Sequence, residues 1–159
     1  MIPTDVPKVT MILETMEQHE SILADFYAAC AETWSEEGSF WLELAEAEKT
    51  HRENIRRMIA ILQKKFPYFS LGRPFNLVAL NTAIAGIKEN IRRLKAGELN
   101  QAKALFLARD IEQSLLESKY AEIVTTNDLE YQTLLSDILT QTGMHKNMIQ
   151  GKIANGGSA

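Results

Sequence analysis

Glu48 and His51 carry side chains that bind metal ions in many proteins, and they lie three residues apart. They belong to the stretch 41–62, whose apolar residues follow the three- and four-residue spacing of one helix face, so both side chains point toward the core. An ionised carboxylate that is buried without a partner costs a large free energy, so a glutamate on this face needs a cation or a hydrogen-bond donor. The pair is therefore one candidate for a metal site. The alternative is a glutamate at the edge of the face beside an ordinary hydrogen-bonded core histidine.

Three further residues of the same kind interrupt apolar helix faces elsewhere in the chain. Glu20 and Glu112 each take the place of an apolar residue in the first and third bundle helices, and His145 lies on the apolar face of the last helix. The spacing from Glu20 to His51 nearly equals the spacing from Glu112 to His145. Two helical hairpins with the same inward polar residues indicate pseudo-symmetric packing around one shared polar site.

The helices that must position these residues follow from the apolar periodicity and from helix-ending signals. Pro67 ends the second helix, Asn100 is a candidate N-cap, and Asn127 with Asp128 marks a turn and a further cap. A short break at residues 35–38 implies that the first two helices form an antiparallel pair. The predicted helices cover about residues 7–33, 41–66, 77–95, 100–124 and 128–153.

These helices predict one all-α domain over residues 1–159, built as an antiparallel four-helix bundle. The long crossover of residues 67–99 joins bundle helices 2 and 3 and contains the extra helix at 77–95. The core is expected to cover about residues 8–153. The composition of residues 154–159 predicts a disordered end.

The composition narrows the functional classes. The chain has 159 residues, of which 45% are hydrophobic and 24% are charged, with a net charge of −4, so nothing favours nucleic-acid binding. No apolar run approaches the roughly 20 residues of a membrane span, and we expect no membrane association. Nothing resembles a signal peptide, and a cytoplasmic location is expected. The single cysteine, Cys30, excludes an internal disulfide and a metal or redox module of paired cysteines.

From about residue 9 to residue 153 the chain resembles the rubrerythrin branch of the ferritin-like superfamily. The stretch ESILADFY at residues 20–27 is similar to that family's first-helix motif, a ligand glutamate followed by an aromatic pair. The stretch AEAEKTH at residues 45–51 is similar to its second-helix motif. The resemblance implies a ferritin-like fold and two iron ions, with manganese or zinc as alternatives. It also implies five metal ligands, which are Glu20, Glu48, His51, Glu112 and His145.

The resemblance further implies an oxidoreductase that reduces peroxide or oxygen. Tyr27 and Tyr120 would lie beside the ligands as hydrogen-bonding or radical-buffering groups, with simple core aromatics as the alternative. Because the chain has no cysteine cluster like that of rubredoxin, its electrons would come from an external donor. A homodimer is expected, as is common among ferritin-like proteins.

One departure from the family pattern leaves a second function open. The fourth helix should carry its own Glu-x-x-His pair, but the residue three before His145 is Thr142, and its neighbour Gln141 offers only a neutral oxygen. The alternative is therefore a degenerate ferritin-like bundle that binds one metal ion or none and serves as a binding or interaction module. A helical adaptor without any site is the third possibility.

Overall fold

The computed structural model describes residues 1–156, and five α-helices account for most of that part of the chain. They are α1 (Val6–Thr33), α2 (Gly38–Lys65), α3 (Leu77–Lys95), α4 (Gln101–Glu117) and α5 (Leu129–Ala154). Two short strands, β1 (Phe69–Leu71) and β2 (Val124–Thr126), lie between helices. This agrees with the predicted all-α class.

Side-chain caps start three of the helices. Asn76, Asn100 and Asp128 each accept a hydrogen bond from the backbone N–H three residues later, at the first turns of α3, α4 and α5. Such a cap contributes about 1 kcal/mol to helix stability, and it places the helix start at a defined residue. The predicted caps at Asn100 and Asp128 are confirmed.

The segment after α4 differs from the prediction. The helix ends at Glu117 rather than near residue 124, because Lys119 adopts a left-handed conformation with φ of 58°. A 3-10 turn then leads into β2, which pairs antiparallel with β1, so that Phe69 faces Thr126 and Leu71 faces Val124. The predicted helix over about residues 100–124 was therefore too long, and the crossover contains the strand β1 as well as the helix at 77–95.

Gly72 extends the contact between these two segments. Its N–H donates to the carbonyl of Ile123 at 2.9 Å, and the N–H of Arg73 donates to the carbonyl of Glu122 at 2.8 Å. A Cβ atom on Gly72 would lie 1.8 Å from the carbonyl oxygen of Glu122, so only glycine allows this approach. The crossover is thus fastened to the segment between α4 and α5.

The helices pack in a pattern that encloses the polar residues of the predicted site. Helix α1 packs against α2 and α3, α4 packs against α5, and α5 also packs against α2. Apolar side chains fill the space around the site; among them, Tyr27 of α1 and Trp41 of α2 have ring centroids 6.0 Å apart. The arrangement holds Glu20, Glu48, Glu112 and His145 inside the core on four different helices.

The C-terminal end is helical for longer than predicted. Ala154, the first residue of the predicted disordered tail, is the last residue of α5, and a turn at Asn155 and Gly156 follows. The rest of the predicted tail, residues 157–159, lies outside the described residues. Within residues 1–156, no helix combines the length and the apolar character that crossing a membrane requires.

Candidate metal centre

The five residues predicted as ligands come together in the core. Glu20 comes from α1, Glu48 and His51 from α2, Glu112 from α4 and His145 from α5. Four of them are 0% exposed and His145 is 7% exposed. The carboxylates and imidazoles on separate apolar faces therefore meet at one place.

The residues form two groups, each of which could hold a metal ion. Glu20, Glu48 and His51 offer ligand atoms that all lie within 4.8 Å of one another, and Glu48, Glu112 and His145 do the same. Glu48 belongs to both groups. Each group thus contains two carboxylates and one imidazole, and the shared carboxylate joins them.

Glu48 lies between the two histidines. Its Oε2 atom is 2.9 Å from Nδ1 of His51, and its Oε1 atom is 3.1 Å from Nδ1 of His145. The two imidazole rings are nearly parallel, with centroids 5.7 Å apart and an angle of 25° between their planes. Each oxygen of Glu48 thus faces a different histidine, so a metal ion held by either group would contact Glu48.

The outer carboxylates carry oxygens that lack partners. One oxygen of Glu20 lies 3.8 Å from Nδ1 of His51, and one oxygen of Glu112 lies 3.6 Å from Nδ1 of His145. Among the described residues, neither oxygen of Glu20 nor Oε2 of Glu112 has a hydrogen-bond partner. A buried acceptor without a partner costs about 1–3 kcal/mol, and more when it is charged. Cations beside these oxygens would offset that cost, so the residues present fit a pair of metal ions.

The electrostatics of the metal-free centre favour bound protons. Burial, followed by the nearby charge of Glu48, raises the pKa of Glu20 to about 8. Burial alone would lower the pKa of His51 and of His145, but hydrogen bonds and charges from the surrounding glutamates outweigh it. The pKa of His51 rises to about 11 and that of His145 to about 9. Near pH 7 the metal-free centre thus holds a proton on each of these three residues.

Gln141 orients one of the histidines, a role that the sequence analysis missed. Its side-chain Oε1 lies 2.7 Å from Nε2 of His51. When Nε2–H of a neutral His51 donates to this oxygen, Nδ1 keeps a lone pair that faces Glu20 and Glu48, which is the form that binds metal. Gln141 precedes His145 by four residues and so lies on the same face of α5. This four-residue spacing is the sequence feature that could have indicated a position for Gln141 at the centre.

Loss of this orienting contact should weaken metal binding without changing how many ions bind. Replacing Gln141 by leucine is expected to lower the affinity of the centre for divalent metal by about 10- to 100-fold, because His51 loses the acceptor that fixes its ring and tautomer. Metal titration against a competing chelator measures the change. Gln141→Glu keeps an acceptor in place and should retain most of the affinity. An unchanged affinity in Gln141→Leu would contradict the orienting role.

Thr142 occupies the position on α5 that corresponds to Glu48 on α2, three residues before the histidine. Its side chain is 1% exposed, and its hydroxyl donates to the backbone carbonyl of Ile138 at 2.8 Å. The hydroxyl is therefore engaged within its own helix. Helix α5 therefore contributes His145 to the centre but no carboxylate.

The two tyrosines relate differently to the centre. The hydroxyl of Tyr27 donates to Oε1 of Glu112 at 2.7 Å, so this residue contacts a candidate ligand directly. Tyr120 is also buried, but its hydroxyl has no hydrogen-bond partner among the described residues. Burial, and then the charges of Glu20 and Glu48, hold the pKa of Tyr120 well above its usual range. A role beside the ligands is thus favoured for Tyr27, whereas the contacts of Tyr120 are those of a core aromatic.

Because only the Tyr27 hydroxyl has a hydrogen-bond partner, removing the two tyrosine hydroxyls should have different effects on the stability of the protein. Tyr27→Phe is expected to reduce the free energy of unfolding of the metal-free protein by about 1–3 kcal/mol, because Glu112 loses its buried donor. Tyr120→Phe removes a hydroxyl without a partner and should be neutral or stabilising. Urea denaturation of both variants against the unchanged protein measures the effect. Equal losses in the two variants would show that the Tyr27 hydroxyl contributes nothing specific.

Comparisons of the chain with models of protein families, with curated proteins and with solved structures found no match.

Proposed function

We propose that this chain is a ferritin-like protein of rubrerythrin type that binds two metal ions, with iron as the first candidate. The observation that carries the proposal is the position of Glu48, whose two oxygens face His51 and His145 and whose carboxylate belongs to both groups of ligand atoms. In this proposal α1, α2, α4 and α5 form the antiparallel four-helix bundle. Helix α3 belongs to the crossover.

The donor set supports the choice of metal. Carboxylate oxygens and imidazole nitrogens suit iron and manganese, and they also accept zinc. Glu48 would hold both ions, with Glu20 and His51 completing one site and Glu112 and His145 completing the other. Tyr27 would keep Glu112 oriented through its hydrogen bond. The apolar surroundings exclude water from the glutamates, which are 0% exposed.

The proposed reaction is the reduction of peroxide or oxygen. Bound iron would supply the redox chemistry, taking electrons from an external donor and passing them to the oxidant. The chain's own residues would hold the ions, and Glu20, His51 and His145 would release their protons when the ions bind. A homodimer, a small-molecule oxidant and an external electron donor are parts of the same proposal.

Reconstitution tests the proposal. The protein is loaded with ferrous iron under argon, freed of excess metal, and subjected to elemental analysis, followed by a peroxide-consumption assay with a chemical reductant. We expect two iron ions per chain, one for each of the two groups of ligand atoms, and peroxide consumption that depends on them. Failure to retain any metal would overturn the proposal.

The alternative function is a degenerate ferritin-like bundle that acts as a binding or interaction module. Thr142 favours it, because the centre lacks the carboxylate that α5 would supply. This alternative predicts one bound ion or none and no peroxide consumption. Metal content thus separates the two functions before any partner is known.

A further inference from the structure

We propose that a cavity separate from the metal centre binds an uncharged, largely apolar ring compound that carries a hydroxyl group. The cavity lies between α1, α3, α4 and the segment that joins α4 to β2, and its volume is about 410 Å³. Small-molecule sites in proteins have volumes in this range. Among the described residues, the lining includes none of the five candidate metal ligands, so the inference does not depend on the proposed function.

The contact between the crossover and the segment after α4 fixes one wall of the cavity. The N–H of Gly72 donates to the carbonyl of Ile123, and the N–H of Arg73 donates to the carbonyl of Glu122. Arg73, Glu122 and Ile123 all line the cavity. The backbone of this wall is therefore ordered before a ligand arrives, which lowers the entropic cost of binding.

Apolar side chains form much of the interior of the cavity. Phe75 comes from the crossover, Leu80 from α3, Leu115 from α4 and Ile123 from the segment before β2. Removing an apolar ring from water and placing it against these side chains is favourable because of the hydrophobic effect. The lining therefore suits the apolar part of a ligand.

His19 supplies a polar group inside this apolar lining. Its side chain lines the cavity and is only 2% exposed, and its Nδ1 has no hydrogen-bond partner among the described residues. A buried polar group without a partner is costly, so a ligand that provides one gains affinity. An imidazole donates or accepts according to its tautomer, and a hydroxyl group can do either. A hydroxyl on the ligand therefore matches His19.

The charged residues around the cavity favour an uncharged ligand. Arg73 and Lys119 contribute two positive charges, and Glu117 and Glu122 contribute two negative charges. Nε of Arg73 already lies 3.5 Å from Oε2 of Glu122. These residues thus attract neither sign of charge overall, and moving a ligand charge into the apolar interior would be costly.

Four compounds with the same benzene ring test the site and its ligand class. Benzyl alcohol, toluene, benzoate and benzylammonium are each titrated into the full chain as purified, and backbone amide signals are followed by NMR. We expect saturable shifts with benzyl alcohol at lining residues such as Leu80 and Leu115, and weaker binding of both charged compounds. The site is overturned if neither benzyl alcohol nor toluene gives a saturable shift. Tighter binding of benzoate or benzylammonium than of benzyl alcohol would overturn the uncharged class.

Variants of His19 test the contact with the hydroxyl group. His19→Leu should weaken the binding of benzyl alcohol by about two- to tenfold and leave toluene bound at least as tightly, because only the alcohol loses a hydrogen bond. His19→Gln keeps a hydrogen-bonding group and should retain most of the affinity for the alcohol. Unchanged affinity for benzyl alcohol in His19→Leu, or an equal loss for both compounds, would overturn the role of His19.

Two alanines of α3 test the location of the ligand. Ala83 lines the cavity, so Ala83→Phe should fill it and abolish the binding of benzyl alcohol. Ala85 is exposed and does not line the cavity, so Ala85→Phe should bind normally. Binding that persists in a folded Ala83→Phe variant would place the ligand elsewhere and overturn the inference. None of these outcomes involves metal content, so failure of this site would leave the proposed function unaffected.

Discussion

Replacing Glu48 by glutamine is expected to abolish binding of both metal ions, because this one carboxylate belongs to both groups of ligand atoms. Glutamine has the size of glutamate and can still accept a hydrogen bond, so the change removes the charge and leaves the packing intact. Elemental analysis after ferrous loading should find iron in the unchanged protein and none in Glu48→Gln.

The outer glutamates and an exposed glutamate serve as controls. Glu20→Gln and Glu112→Gln should each lose one ion, because each of these residues belongs to one group only. Glu46 lies on the same helix as Glu48, but it is exposed and pairs with Lys49 at 2.9 Å, so Glu46→Gln should retain both ions. We therefore expect no ion in Glu48→Gln, one ion in Glu20→Gln and in Glu112→Gln, and two ions in Glu46→Gln.

A different order would contradict the bridging position of Glu48. If Glu48→Gln kept one ion while Glu112→Gln kept none, the shared carboxylate would have to be Glu112. If all the variants kept the metal of the unchanged protein, the ions would lie outside this cluster. Circular dichroism on the metal-free variants shows whether each one is folded before its metal content is interpreted.

The helices and the site residues could be predicted from sequence because both leave local signals. Apolar periodicity locates α1, α2, α3 and α5 to within a few residues, and Asn100 and Asp128 mark helix starts by their capping chemistry. A glutamate on an apolar face is a strong local anomaly, and three such glutamates led to the cluster. Their ligand role stays a prediction until metal is measured.

Features that depend on distant parts of the chain were not predictable in the same way. The strands β1 and β2 pair residues far apart in sequence. The predicted third bundle helix ran to about residue 124, the first residue of β2, and the strand was not predicted although Val124, Thr125 and Thr126 are all β-branched. The contact between Gln141 and His51 joins two helices. The four-residue spacing from Gln141 to His145 indicates the face of α5 on which Gln141 lies, but it does not identify His51 as the partner. The distances that distinguish Tyr27 from Tyr120 likewise depend on tertiary packing.

The protons held by the metal-free centre lead to a second large effect, on stability as a function of pH. In the unfolded chain Glu20 loses its proton near pH 4.5, and both histidines lose theirs near pH 6.5. In the folded metal-free protein the pKa values rise to about 8 for Glu20, about 9 for His145 and about 11 for His51. At any pH between the unfolded and the folded pKa of one of these residues, the native state keeps a proton that the unfolded state has lost. The free energy of unfolding therefore falls as pH rises, by about 1.4 kcal/mol per pH unit for each such proton.

Metal ions should reverse this dependence. They bind the deprotonated ligands, so the loaded native state holds fewer protons than an unfolded chain whose histidines are still protonated. From pH 5.5 to about 7 the loaded protein should gain stability, and at higher pH it should level off. Over the range from pH 6 to pH 8 the metal-free protein should lose about 3 °C or more of melting temperature per pH unit. Stabilisation by metal therefore grows as the pH rises.

Thermal unfolding followed by circular dichroism checks this prediction, with one sample treated with chelator and one loaded with Mn²⁺ or Co²⁺ at each pH. Glu20→Gln is the matched variant: glutamine stays neutral in both the folded and the unfolded state, so the metal-free variant should lose stability less steeply with rising pH. Parallel curves for the metal-free and the loaded protein would mean that metal does not displace protons from Glu20, His51 and His145. Diverging curves, together with a smaller pH dependence of stability in metal-free Glu20→Gln, would show that the buried carboxylate and imidazoles exchange protons for metal. A metal ion bound elsewhere would leave their contribution to the pH dependence unchanged.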